Sequence, residues 1–280
     1  MPSEKPQVIE WIFFNRKYDS AARLLRDPIV TFNDIREGIE ATGARLSVAN
    51  PANFWKDLTR SPTPNDNWPT RVFEAGFTGT DAIGAGDQAC FAFTPVAEDQ
   101  TEPFPDILVF DPHNVVPLTI QSLSMAQAMK ALGRRDENWL AQVTARLFAI
   151  ETFFAVVSER EVREVSFLQT GVKMRGGESD AVYSVTCDDG VWLLSVEAKG
   201  RREPLHLPQI ARASYSLFET VTSQGGELSD VVGVIPFGLK IVGDSEVWAV
   251  EFAPVESADE TLTAVSQATF MFTPPVPGIS

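Results

Sequence analysis

Between residues 181 and 199 two runs rich in Val, Tyr, Thr, Trp and Leu flank the dipeptide Asp189-Gly190, and no other feature restricts the fold as much. Asp-Gly between such runs is the strongest short-range hairpin signal, because glycine accepts the positive φ that a two-residue type I′ turn demands. The predicted strands are 181–188 and 191–199. In that register Asp188 faces Val191, Asp180 falls opposite Lys199, and Val182 falls opposite Glu197. Side chains alternate along a strand and opposed residues share a face, so Asp180, Glu197 and Lys199 converge on one patch. A one-residue slip, to a three-residue loop, would turn Asp180 away.

Two carboxylates and a lysine suit a hard divalent cation, since Mg²⁺ prefers oxygen ligands and keeps several waters. Such an ion polarises a phosphate oxygen and lowers the pKa of a bound water, while Lys199 positions that water or offsets charge developing at phosphorus. Phosphodiester hydrolysis is the chemistry this patch fits. A surface hairpin with an ordinary salt bridge satisfies the same local pattern, so the flanking elements decide between them.

Upstream, one long helix is expected over 138–160, with Leu140, Val143, Leu147, Ile150, Phe154 and Val157 forming its buried stripe. Glu151 lies on that stripe, where a carboxylate is costly unless it is paired, bound to a metal or at the rim. A strand at 162–170, a loop at 171–177 carrying Lys173 and Arg175, a helix at 205–222 and a strand at 230–236 complete the pattern.

Over roughly residues 135–255 the sequence resembles the PD-(D/E)XK nuclease superfamily, particularly type II restriction endonucleases. Asp180, within Gly177-Glu178-Ser179-Asp180, matches the first acid, and Glu197-Ala198-Lys199 matches the (D/E)XK element; Ser179 stands where the family name has proline. The order of helix, three strands, helix and strand agrees with the family core. The resemblance implies an α/β core, a mixed central sheet flanked by helices, and a Mg²⁺-dependent, sequence-specific endonuclease acting on double-stranded DNA as a homodimer. Asp180 and Glu197 would be the metal ligands and Lys199 the catalytic base or charge stabiliser. Glu151 would be the supporting acid from the preceding helix, with Glu159 and Glu161 as alternatives. Gln209, on the helix it shares with Tyr215, would help to hold the site or contact nucleic acid. Lys173, Arg175, Arg201 and Arg202 are the candidate phosphate contacts.

Residues 1–95 form the first predicted domain and 96–280 the second. A short helix is expected at 19–27, stopped by Pro28. Thr31 then caps a second helix, with Asp34 three residues on, Ile35 and Ile39 on its apolar face and a stop at Gly43. Asn50 caps a third, begun by Pro51, which buries Phe54 and Leu58 and turns Asn53, Lys56 and Arg60 outward. With Arg71–Phe77 and Gln88–Thr94 as wing strands, this reads as a winged helix presenting Asn50, Asn53, Lys56 and Arg60 to DNA. A structural or dimerising helical domain fits the same pattern. In the second domain Ile107–Phe110 reads as a strand and Leu118–Leu132 as a helix, and the segment 255–280 is a packed arm or a loose tail.

The formal charge of −15 weighs against an extended basic surface, although Lys199-Gly200-Arg201-Arg202, Arg134-Arg135 and Lys173-Met174-Arg175 are local basic clusters. Two rival readings follow: a nuclease for branched or single-stranded substrates, and a winged-helix regulator whose C-terminal domain is catalytically silent. Only two histidines, His113 and His206, are present, which excludes a histidine-rich zinc site. Cys90 and Cys187 are far apart, the apolar run Trp11–Phe14 is too short for a signal peptide, and no stretch reaches the ~18 apolar residues of a membrane span. A reduced, cytoplasmic protein without membrane contact is expected.

Overall fold

The computed structural model describes every residue except 1, 2, 48–50, 60, 62, 83–85, 87, 99, 106, 135, 176, 225–230 and 259. The chain divides into two units, Met1–Pro105 and Asp106–Ser280.

In the first unit α1 (Lys5–Ile12) continues into a π-helical turn at Phe13–Lys17. Two short antiparallel strands follow, β1 (Tyr18–Asp19) and β2 (Leu24–Leu25), where a helix over 19–27 was expected. The Asp19 carboxylate accepts from the amides of Ala21 and Ala22, at 3.0 and 3.1 Å, a local bond that competes with helix formation. After β3 (Ile29–Thr31) comes α2 (Phe32–Thr42), started as expected by a capping box. The Asp34 amide donates to the Thr31 hydroxyl and the Thr31 amide to the Asp34 carboxylate. α3 (Ala52–Thr59) buries Phe54, Trp55 and Leu58 and exposes Asn53 and Lys56, whereas Asn50 and Arg60 lie outside the described residues.

α4 (Thr70–Glu74) occupies most of the stretch expected as a wing strand. Pro69 stands just before it, and its carbonyl receives the amides of both Val72 and Phe73. The strand β4 (Phe77–Thr80) therefore starts only at Phe77, and with β3 and β5 (Ala89–Pro95) it forms an antiparallel sheet in the order β3-β5-β4. Residues 96–105, which the sequence reading assigned to the second domain, pack on the first: the Val96 amide bonds the Gly76 carbonyl, and the Phe104 ring meets Trp55 and Trp68. At Gly79 a Cβ would lie 2.7 Å from the Trp55 ring and 2.8 Å from Trp68, so only a residue without a side chain passes there. Gly79→Ala is expected to cost about 1–3 kcal/mol, measured as a lower urea midpoint. An unchanged midpoint would show that the indoles can swing aside.

The second unit begins with β6 (Ile107–Leu108) and β7 (Val116–Gln121), then α5 (Gln127–Ala131), α6 (Glu137–Arg146) and α7 (Ala149–Val156). The strands β8 (Val162–Met174), β9 (Gly177–Cys187) and β10 (Gly190–Lys199) follow, then β11 (Leu205–His206), α8 (Leu207–Gln224), β12 (Val231–Gly243), β13 (Glu246–Phe252) and β14 (Ala264–Thr273). Seven strands make one mixed sheet in the order β7-β14-β13-β12-β10-β9-β8. β10 and β12 run parallel, which requires a crossover, and α8 supplies it. Leu140, Val143, Ile150 and Phe153 of α6 and α7 pack on one face against Leu194, Val196 and Phe237. On the other face, residues of α8 pack against Leu193, Val234 and Trp248.

Two expected helices are corrected here. Residues 118–121 of the stretch 118–132 lie in β7, because β14 offers them a parallel slot in which Phe270 pairs with Leu118, and the helix is confined to α5. The segment 138–160 is two helices bent by 62°, with Phe148 in the left-handed region at φ 52°. The apolar stripe survives the bend because both helices wrap the same sheet face. Among the described residues no single helix is long and apolar enough to cross a membrane. The segment 255–280 is a packed arm: β14 lies inside the sheet, and Val276 and Ile279 are buried.

The central hairpin forms with its turn one residue early. Cys187 pairs with Gly190 and Ala181 with Val196, so the loop is Asp188-Asp189 and each β9 residue faces a β10 residue two places nearer the turn than expected. Neither aspartate takes the positive φ of a type I′ turn; the unusual φ, 136°, falls on Gly190. A shift of two positions preserves the alternation of faces, so the convergence argument survives the change of register.

Candidate functional site

In β10, Leu194, Val196 and Ala198 enter the core against α6 and α7, leaving Ser195, Glu197 and Lys199 on the alternate face. Glu197 and Lys199 are nevertheless 4% and 2% exposed, so their charges must be answered within the protein. Glu197 Oε1 lies 2.5 Å from Lys199 Nζ and accepts from Gln209 Nε2 at 2.6 Å. Gln209 is held in the first turn of α8. On its other side Lys199 Nζ lies 3.2 Å from Glu137 Oε1, at the start of α6.

Regular pairing of β9 with β10 ends at Ala181–Val196. Just beyond, the Ala198 amide donates to Asp180 Oδ2 at 2.7 Å, tying the first acid to the middle residue of Glu197-Ala198-Lys199. Ser179, in the position of the motif's proline, is fully buried, and its hydroxyl bonds the Ser195 hydroxyl at 2.6 Å. Past Lys199 the chain turns through Gly200–Glu203. Lys240 Nζ gathers that turn by donating to the Gly200 and Arg201 carbonyls, at 3.4 and 3.3 Å, and to that of Glu203. Burial lowers the Lys240 pKa to about 8, with Glu203 opposing and Lys199 reinforcing the shift.

The electrostatics separate the two kinds of charge. Burial pushes the Asp180 carboxyl up to about 7, and the negative charges of Glu197 and Glu137 add to the effect against the Ala198 amide and Lys199. Burial alone would lower the Lys199 pKa, but Glu197 and Glu137 outweigh it and hold the ammonium above its ordinary range. Lys199 is therefore a cation at neutral pH, and Asp180 is a carboxyl poised to lose its proton there.

Asp180, Glu197, Lys199 and Gln209 are thus brought together. Glu151 is not among them: it lies on α7, over the face opposite α8, beside Phe148, Val165 and Phe167. Glu159 and Glu161 are exposed ahead of β8, and Tyr215 packs with the apolar residues around Trp248. Glu137 takes the place in the cluster that the sequence reading gave to Glu151. Its signal was present in Asp136-Glu137, an N-cap acid followed by a first-turn acid, immediately before the apolar stripe. Lys173, Arg175 and Arg202 are exposed, and Arg201 pairs with Asp244 at 3.2 Å.

Among the described residues no three His, Cys, Asp or Glu side chains converge as a ready-made metal cluster. Mg²⁺ does not require one, since it is commonly held by one or two carboxylates with waters and substrate phosphate completing the shell. The donors available, Asp180 and Glu197, are hard oxygens, and the Asp180 carboxyl is raised first by burial and then by the charge of Glu197, both of which a bound cation would offset. The residues present fit the ion.

Fold and site together describe a mixed α/β protein, with a large mixed sheet flanked by helices and a buried acid-lysine cluster at the end of its central hairpin. Comparisons with protein families, curated proteins and solved structures find no match.

Proposed function

We propose that the second unit is a Mg²⁺-dependent DNA endonuclease of the PD-(D/E)XK type and that the chain acts on double-stranded DNA in the manner of a type II restriction enzyme. The observation that carries this reading is the Asp180–Ala198 hydrogen bond, which fastens the first acid to Glu197-Ala198-Lys199 where β9 leaves β10. The order α6/α7, β8, β9, β10, α8, β12 supports it.

Asp180 and Glu197 would hold the ion, which when bound supplies a Lewis acid for the phosphate and a more acidic water. Gln209 fixes one Glu197 oxygen and limits its rotation. Lys199, already protonated, serves as the stabiliser of charge on the phosphate and the donor that orients the attacking water, not as a base. Glu137 balances Lys199 from the far side, the supporting role expected of Glu151. The exposed Lys173, Arg175 and Arg202 are the phosphate contacts, together with Arg201 once it leaves Asp244.

In the first unit, α1, β3, α2, α3, β4 and β5 with sheet order β3-β5-β4 follow the element order of a winged helix, with the β1–β2 pair inserted after α1 and α4 before the wing. Asn53 and Lys56 on the exposed side of α3 are the base- and phosphate-contacting candidates there. Two-strand cutting is most simply arranged by a two-fold dimer.

The test is cleavage of supercoiled plasmid in Mg²⁺ by the wild type and by Asp180→Asn. Discrete fragments from the wild type, with activity at least about 10³-fold lower in the variant, are expected. A smear would assign the protein to nucleases without a fixed site. Equal cutting by both proteins would remove Asp180 from the chemistry, and duplex binding without cutting would favour the regulator.

A further inference from the structure

On the α6–α7 side of the second unit lies a groove of about 520 Å³, walled by Met129, Ala145, Phe148, Val165 and Phe167, with Glu151 in its lining. Three local anomalies meet there. Phe148 holds a left-handed backbone (φ 52°), which bulky residues rarely adopt, and its ring is 63% exposed. Phe167, on the edge strand β8, is a second large aromatic left open to solvent. Glu151 Oε2 is buried and has no hydrogen-bond partner. Tyr183, behind it, has a buried hydroxyl beside that of Thr144, which itself donates to the Leu140 and Ala141 carbonyls.

Each anomaly opposes folding; the Phe148 backbone makes the bend between α6 and α7, but the helix-sheet core needs neither the two bare rings nor the unanswered carboxylate oxygen. Strained backbone, bare aromatic surface and an unanswered carboxylate oxygen in one concavity form the pattern of a ligand site, its walls mainly apolar and its polar lining made by Gln142, Arg146, Glu151 and Ser166. Glu151, which carries the unanswered oxygen, fixes the sign of the ligand. A desolvated carboxylate oxygen accepts hydrogen bonds and is stabilised by positive charge. Arg146 also reaches the groove, but it is solvent-exposed, where water screens its charge, whereas Glu151 Oε2 is shut off from water. The two exposed rings offer π faces to the same cation.

We propose that this groove binds a small organic ammonium ion, its N–H groups donating to Glu151 and its apolar body lying between Phe148 and Phe167. The site is separate from the acid-lysine cluster, and the proposal does not depend on the nuclease reading. It gives Glu151 a role in recognition in place of catalysis.

Benzylammonium is a suitable probe and benzyl alcohol its neutral counterpart. The full-length protein, ¹³C-labelled at methionine methyls, is titrated with each at pH 8 while the Met129 resonance is followed. Saturable shifts with a Kd of about 1 mM are expected for benzylammonium, and binding at least about tenfold weaker for the alcohol. Glu151→Gln should abolish that preference. Ala145→Phe, which fills the groove from the helix side and leaves the carboxylate in place, should weaken both ligands by about tenfold or more. Matching unfolding curves establish that the variants are folded. Equal affinity for the two probes, a preference that survives Glu151→Gln, or no Met129 shift up to tens of millimolar would each overturn the proposal.

Discussion

Lys199→Met is expected to abolish Mg²⁺-dependent cleavage and to lower the stability of the second unit by about 3–5 kcal/mol, because it strands the Glu197 carboxylate inside the protein. For a unit of this size that is a fall in Tm of roughly 10 °C. Loss of activity alone would therefore be ambiguous, since a partly unfolded enzyme is also inactive. The double variant Glu197→Gln/Lys199→Met removes both charges, and a glutamine at 197 can keep its hydrogen bond to Gln209. It should recover most of the lost stability and none of the activity. If the single variant melts like the wild type, the ammonium is not serving as the internal counterion. If it also cuts DNA, Lys199 has no part in the chemistry. The salt dependence of the loss separates these effects further, since a pair only 2–5% exposed in its side chains is scarcely screened and its contribution should persist in 0.5 M KCl.

What the sequence displayed and what it hid divide along a physical line. Signals carried by neighbouring residues were legible, such as the Thr31–Asp34 capping box, the hairpin about Asp189 and the alternation that sets Glu197 and Lys199 on one face. The register was missed by two positions because Gly190 takes its unusual φ as the first residue of β10, outside the turn proper. That error was harmless to the site only because side chains alternate with period two. Features fixed by distant partners were illegible. β7 pairs with β14, some 150 residues away, and nothing within 118–132 announces that slot. The bend at Phe148 carries neither Gly nor Pro, and the spacing from Leu147 to Ile150 continues the stripe across it. Taking 138–160 as one straight helix led directly to Glu151. Once the helix is seen to start at Glu137 and break at Phe148, the acid that reaches Lys199 is the one in its first turn.

Asp180→Asn is expected to raise Tm at pH 8 in the absence of metal while eliminating cleavage, the opposite of what a purely structural residue would do. The folded-state pKa of about 7 lies above the value of about 3.9 for an unfolded aspartate. Between those values the native state holds a proton that the unfolded state has released, so stability falls as pH rises, by up to about 1.4 kcal/mol per pH unit, and levels off above 7. Asparagine never ionises, keeps an oxygen for the Ala198 amide and offers its NH₂ to the nearby carboxylates, so it escapes that penalty. At pH 5.5, between the two values, only about half of that penalty has accumulated, so the advantage of asparagine should be clearly smaller than at pH 8, and it should vanish only below about pH 4. Mg²⁺ adds the converse dependence. Holding the ion requires the deprotonated carboxyl, so Mg²⁺ at tenfold excess over its Kd should stabilise the wild type by about 1.4 kcal/mol at pH 8, much less at pH 5.5, and Asp180→Asn at neither pH. The pH dependence of cleavage should rise through the same region near 7. Calorimetric scans at the two pH values, with Mg²⁺ and with EDTA, read all of these outcomes. Equal Mg²⁺ stabilisation of wild type and variant would place the ion elsewhere. A wild-type Tm that does not fall between pH 5.5 and 8 would mean that Lys199 and the Ala198 amide already neutralise Asp180, leaving it no unrelieved charge for a cation to answer.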